Sequence, residues 1–160
     1  MKKLLIILII AVSMSANAQS SSKDELAIIQ STYGKSKTDL INQYMALSPA
    51  QTTAFQPIYD AYEAERKVLG QKKIQIIDDY ATKYATLTDA DADQLTKANL
   101  KNNLDQEKLF DKTYEKAKKA IGITNAAKFI QLESYLQTTI KGEIQDSLPF
   151  IGELDKTKVK

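Results

Sequence analysis

Leu47-Ser48-Pro49-Ala50-Gln51 is a helix start written out in full, and the fold follows from what comes after it. Ser48 stands as N-cap, where its hydroxyl can accept an orphan backbone N–H. Pro49 takes the first helical position, where its missing N–H costs nothing. Gln51, three residues after the cap, can reach back and close a capping box. Downstream runs an apolar stripe of Phe55, Ile58, Tyr62, Leu69, Ile76, Ile77, Tyr80, Tyr84 and Leu87 at helical spacing. The spacing predicts a helix over 49–84, roughly 50 Å long at 1.5 Å per residue. Arg66 and Lys73 fill gaps in the stripe; their stems are expected along the apolar face with their charges in water. Pro57 should kink the first two turns, and Gly70 offers a second bend.

Leu87-Thr88-Asp89-Ala90-Asp91 repeats the signal, with Thr88 as cap and acidic residues that suit the helix dipole. The third helix is expected to run to Ala120 with Ala92, Leu95, Leu100, Leu104, Phe110, Tyr114, Ala117 and Ile121 inward, until Gly122 stops it. Ile123-Thr124 opens a fourth helix to about Gln145, with Phe129, Leu132, Leu136, Ile140 and Ile144 inward. Upstream, residues 24–46 carry a stripe of Leu26, Ile29, Tyr33, Leu40, Tyr44 and Leu47. With only five Gly, three Pro and no strand-like alternation, the chain reads as an all-α single domain of four helices on an antiparallel hairpin of 49–84 and 89–120. Helix starts at 47, 87 and 123 fit a weak internal repeat, and equally fit capping chemistry recurring without ancestry.

At the N-terminus, Lys2 and Lys3 precede an apolar run from Leu4 to Val12, and Ala16-Asn17-Ala18 follows. These are the three regions of a secretory signal peptide, assigned to residues 1–18. The run is shorter than the 20 or so residues of a membrane span, and with no Cys in the chain no lipid anchor is expected. The helical domain is then 19–152, with order ending at Pro149 and a flexible tail over 153–160. Such a chain is exported to the periplasm, is not inserted in the membrane after cleavage, and works without cytosolic ATP. Losing Lys2 and Lys3 from 22 basic residues leaves 20 against 20 acidic ones, a neutral balance that argues against nucleic acid as partner. Without His or Cys the chain lacks the commonest general base, the thiolate nucleophile and the usual transition-metal ligands. No catalytic residue, metal ligand or cofactor site is therefore assigned.

The remaining motifs read mostly as surface. Asp89-Ala90-Asp91-Ala92-Asp93 opens like a calcium loop, but the sixth and twelfth positions are Gln94 and Leu100 instead of Gly and Glu. Asp78-Asp79, and Glu63 with Glu65, diverge around a helix rather than converge on one point. Glu63–Lys67, Asp79–Lys83 and Asp93–Lys97 are acid-before-base pairs at i, i+4. Lys108, Lys112 and Lys116 run beside Glu107, Asp111 and Glu115 as a charged face. Eight Tyr and no Trp allow two readings, core packing with hydroxyls at the rim, or an amphipathic binding surface. On the second, Tyr59, Tyr62, Tyr80 and Tyr84 are the candidate client-binding face.

Leu47-Ser48-Pro49-Ala50-Gln51 also resembles the LTxxQ motif of the Spy/CpxP family of small periplasmic helical proteins, with Ser in place of Thr. The counterpart of that family's second motif is Ile123-Thr124-Asn125-Ala126-Ala127, which lacks the Gln. Residues 45–150 are similar to a further group of exported helical proteins through Phe55-Gln56-Pro57-Ile58-Tyr59-Asp60-Ala61-Tyr62, Ala126-Ala127-Lys128-Phe129-Ile130-Gln131-Leu132-Glu133 and Leu148-Pro149-Phe150-Ile151. The resemblance implies a long bent helical hairpin with shorter flanking helices, often a homodimer forming a curved cradle. It implies ATP-independent holding of unfolded envelope proteins, or damping of an envelope-stress sensor. Leu47, Ser48, Gln51, Ile123 and Thr124 would be helix-start residues, not client contacts. The other expectation is a sensory or structural adaptor that binds one specific envelope protein through a helix face.

Overall fold

A computed structural model describes residues 35–146 and 148–151. Four α-helices follow in order: α1 Lys37–Met45, α2 Pro49–Lys83, α3 Asp89–Ile121 and α4 Ile123–Asp146, with a 3-10 turn Tyr84–Thr86 after α2. No strand occurs among the described residues, and the fold is all-α. The leader, the upstream part of the first helix with Leu26, Ile29 and Tyr33, and the tail 153–160 lie outside the described residues.

The first two starts are built as capping boxes. Ser48 Oγ accepts from Gln51 N while Gln51 Oε1 accepts from Ser48 N, and Thr88 with Asp91 does the same for α3. Gln51 has a second task, since its Nε2 donates to the Ile121 carbonyl and clasps the start of α2 to the end of α3. Ser48→Ala should cost about 1 kcal/mol, read as a lowered midpoint in urea with an unchanged slope.

The third start is different. Gly122 at φ 86° closes α3 through its N–H to Lys118 O, and its own carbonyl accepts from Ala126 N in α4. One residue in a backbone region open chiefly to glycine turns the chain, so there is no room for an extended Ser/Thr cap. Thr124 lies within the first turn of α4, and both it and Ile123 are exposed. The start at 123 therefore does not repeat those at 47 and 87.

α2 and α3 pair antiparallel. Lys83 meets Asp91, Lys73 meets Asn99, Glu65 meets Lys112 and Gln51 meets the Ile121 carbonyl, each step back along α2 matched by a step forward on α3. α4 returns along α3 and faces α2 through Tyr62 to Glu133, and the segment after α4 meets α2 where the Tyr80 hydroxyl donates to the Pro149 carbonyl. α1 lies on α4, where Lys128 Nζ donates to Met45 O. The core is aromatic: the rings of Phe55, Tyr59 and Tyr62 surround Phe129, edge-on at 5.0, 6.1 and 5.3 Å, and Phe110 stacks on Tyr62. α2 continues through Pro57, which sits on the exposed side. There the Thr53 carbonyl that it leaves without a helical partner can reach water.

Two inward stripes are rotated from expectation. On α1 the buried positions are Lys37, Ile41 and Met45, while Tyr44 points outward. On α3 Leu100 and Leu104 are 61% and 54% exposed, and Asn102 and Gln106 are buried in their place. The inward line is Leu95, Asn99, Asn102, Gln106, Leu109 and Thr113, alternating four and three residues apart. Leu100 and Leu104 lie about one to two hundred degrees around the helix from it.

Candidate functional site

The interior divides into two regions of opposite chemistry. At the level of Tyr62, four charged side chains meet. Lys37 Nζ from α1 lies 2.5 Å from Glu63 Oε1 on α2 and 2.9 Å from Glu133 Oε1 on α4. Arg66 clamps Glu63 through Nε at 3.0 Å and Nη2 at 3.3 Å. Tyr62 donates its hydroxyl to Glu133 Oε2 at 2.7 Å. The Lys37–Glu133 contact is a charge contact out of hydrogen-bond alignment, since Glu133 Oε1 makes no hydrogen bond. Glu133 is 0% and Lys37 4% exposed. Arg66 is also buried, so its charge is paired inside the protein rather than carried out to water.

Burial pushes the Glu63 carboxyl up, but Lys37 and Arg66 together outweigh it, and the group sits below its ordinary value of 4.5. Burial, then the adjacent carboxylates, push the phenols of Tyr59 and Tyr62 up, so both remain neutral. Between α2 and α3, Lys83 and then Thr88 hold the Asp91 carboxyl at about 2. Both carboxyls are lowered in the native state, so their contribution is complete above their unfolded values and is lost as pH falls through the native ones. Stability should therefore hold at neutral pH and fall below about pH 4.5. Glu63→Gln should flatten that fall, as measured by denaturant unfolding from pH 7 to 2.5.

The second region is a half-open cavity of about 230 Å³ toward the α2–α3 turn, between α2, α3 and α4. Ile76, Ile77, Leu95, Ile140 and Ile144 give it apolar walls. Asn102, Gln106 and Gln137 also line it, and Asn102 Oδ1, Gln106 Nε2 and Gln137 Nε2 are buried without a hydrogen-bond partner. Lys73, bonded to Asn99 Oδ1, and Lys141 stand beside them. At one end the segment after α4 crosses over, Leu148 and Ile151 lining the cavity. It is held by Tyr80 and Tyr84, whose hydroxyls donate to the Pro149 and Phe150 carbonyls at 2.9 Å.

The four candidate tyrosines lie along one side of α2 and its 3-10 extension, but at two levels and with different burial. Tyr62 is 1% exposed and tied to Glu133, so no client reaches it. Tyr59 packs half-buried in the aromatic core. Tyr80 near the end of α2 and Tyr84 in the 3-10 turn sit five or six helical turns away, and Tyr80 borders the cavity. Among the residues that line this site, Asn99, Asn102, Gln106, Gln137 and Lys141 are not marked as inward by apolar spacing. A signal existed for three of them, because Asn99, Asn102 and Gln106 continue the phase of Leu95 and Leu109.

Among the described residues no helix is long and apolar enough to cross a membrane, and no three metal-ligating side chains cluster. Compared with known proteins, the chain matches no family model, no curated protein and no solved structure.

Proposed function

We propose that this chain is a non-enzymatic binding protein of the periplasm, ATP-independent and chaperone-like or related to envelope stress, akin to the Spy/CpxP proteins. Its partners are apolar segments of unfolded or specific envelope proteins. The observation that supports this reading is the apolar cavity flanked by Tyr80 and rimmed by charged and amide side chains. Apolar contact is non-directional and accepts many sequences, which is what a holder of varied clients requires. Contact through Tyr80 leaves its hydroxyl on the Pro149 carbonyl while its ring grips.

The test is light scattering of a chemically denatured client diluted into buffer without ATP, with and without the purified protein. Suppression near stoichiometric ratios is the expected result. No suppression across several unrelated clients would end the general-holder reading. A dedicated adaptor would then take its place, favoured by Leu100 and Leu104, exposed one turn apart on α3, and its partner would be sought by crosslinking.

A further inference from the structure

We infer that the cavity between α2, α3 and α4 is a binding site for a single-chain aliphatic carboxylate of medium length, its chain along the isoleucine walls and its head between Lys73 and Lys141. The inference rests on the reading that this cavity is the binding site and adds the chemical class of its small ligand.

Three observations meet here. The first is size and wall chemistry. An engineered apolar cavity of about 150 Å³ takes up benzene, so 230 Å³ takes roughly nine or ten carbons by the same proportion. The walls are aliphatic on all three helices, with Ile77 from α2, Leu95 from α3 and Ile140 and Ile144 from α4.

The second is charge. Lys73 and Lys141 stand in the same lining, and neither has a carboxylate partner among the described residues. Burial, and after it the neighbouring Lys141 ammonium, hold the Lys73 ammonium below its ordinary value of 10.5. Two ammonium groups that repel across a partly dry space are relieved by one anion placed between them. A cationic or neutral head gains nothing there.

The third is the polar lining. Gln106 Nε2 and Gln137 Nε2 are buried amide donors without partners. An unsatisfied buried donor costs free energy that a carboxylate oxygen or a water held by it recovers. Clients that offer only apolar side chains leave these donors unpaired; a carboxylate amphiphile satisfies the walls and the donors together.

The experiment is calorimetric titration of the purified protein with decanoate below its micellar concentration, beside decanol and decyltrimethylammonium as neutral and cationic heads on the same chain. One decanoate per protein is expected, with both controls at least tenfold weaker. Lys141→Met should bring decanoate to the decanol level while leaving the circular dichroism spectrum unchanged, since the Lys141 ammonium has no partner to lose among the described residues. Lys73→Met is the second variant, expected to act in the same direction. Absence of saturable binding, equal affinity for decanoate and decanol, or many ligands per chain would each overturn the inference. Light scattering with the denatured client, run on the same samples, separates the two readings. Client suppression without decanoate binding overturns only the ligand assignment.

Discussion

Truncating Phe129 to alanine should cost about 3–5 kcal/mol. The ring is fully buried and meets Phe55, Tyr59 and Tyr62 edge-on, so its removal opens a void where ring contacts join α2 and α4. Each edge-to-face pair adds about 0.5–1.5 kcal/mol beyond area burial. The surrounding rings are anchored on α2 and have little freedom to collapse inward. A domain of this size has about 5–15 kcal/mol in total, so the variant should lose about a fifth or more of it. The midpoint of thermal unfolding should fall by about 10–20 °C, with helical ellipticity retained at low temperature. A fall under about 2 °C would mean that Phe129 is not the centre of the core.

Glu133→Ala should be comparably damaging for a different reason. It strips a carboxylate from Lys37 and an acceptor from Tyr62, leaving a buried hydroxyl unpaired and a buried ammonium with Glu63 alone. Removing one partner of a buried ion pair typically costs about 3–5 kcal/mol. The same physics predicts a rescue. Lys37→Met combined with Glu133→Leu removes both charges and fills the space with apolar atoms, and a fully apolar replacement of a buried pair is commonly neutral. The double variant should regain at least half of the loss in denaturant unfolding, measured as a coupling between the two sites. If the double variant is as unstable as the sum of the singles, the pair is not acting as a unit.

What could be read from the sequence was what is decided locally. Ser48 with Gln51 and Thr88 with Asp91 form caps whose partners lie three residues away, so spacing alone finds them. Phe129 was placed inward by its helical phase with Leu136 and Ile140. Lys37 and Glu133 escaped because the burial of a charge depends on partners on other helices, and Arg66 because its same-helix partner Glu63 is itself held inward by Lys37. The phase of α3 was misjudged because Leu100 and Leu104 offered an apolar line one step away from the true one. Counting amides as inward would have exposed the error, and with it the cavity. Helices in globular proteins seldom bury Asn and Gln in consecutive turns, so an apolar reading passes over them.

The two regions of the interior also divide the molecule in time. Around Phe129 the helices are held by rings and ion pairs, whereas toward the α2–α3 turn they enclose a void and unpartnered amides. Opening free energies follow contact density, so the second region is the first to breathe. Backbone amides near Ile77, Leu95 and Ile144 should exchange with deuterium ahead of those near Tyr62, Phe110 and Phe129. The walls of the cavity can therefore yield while the other end of the bundle stays assembled.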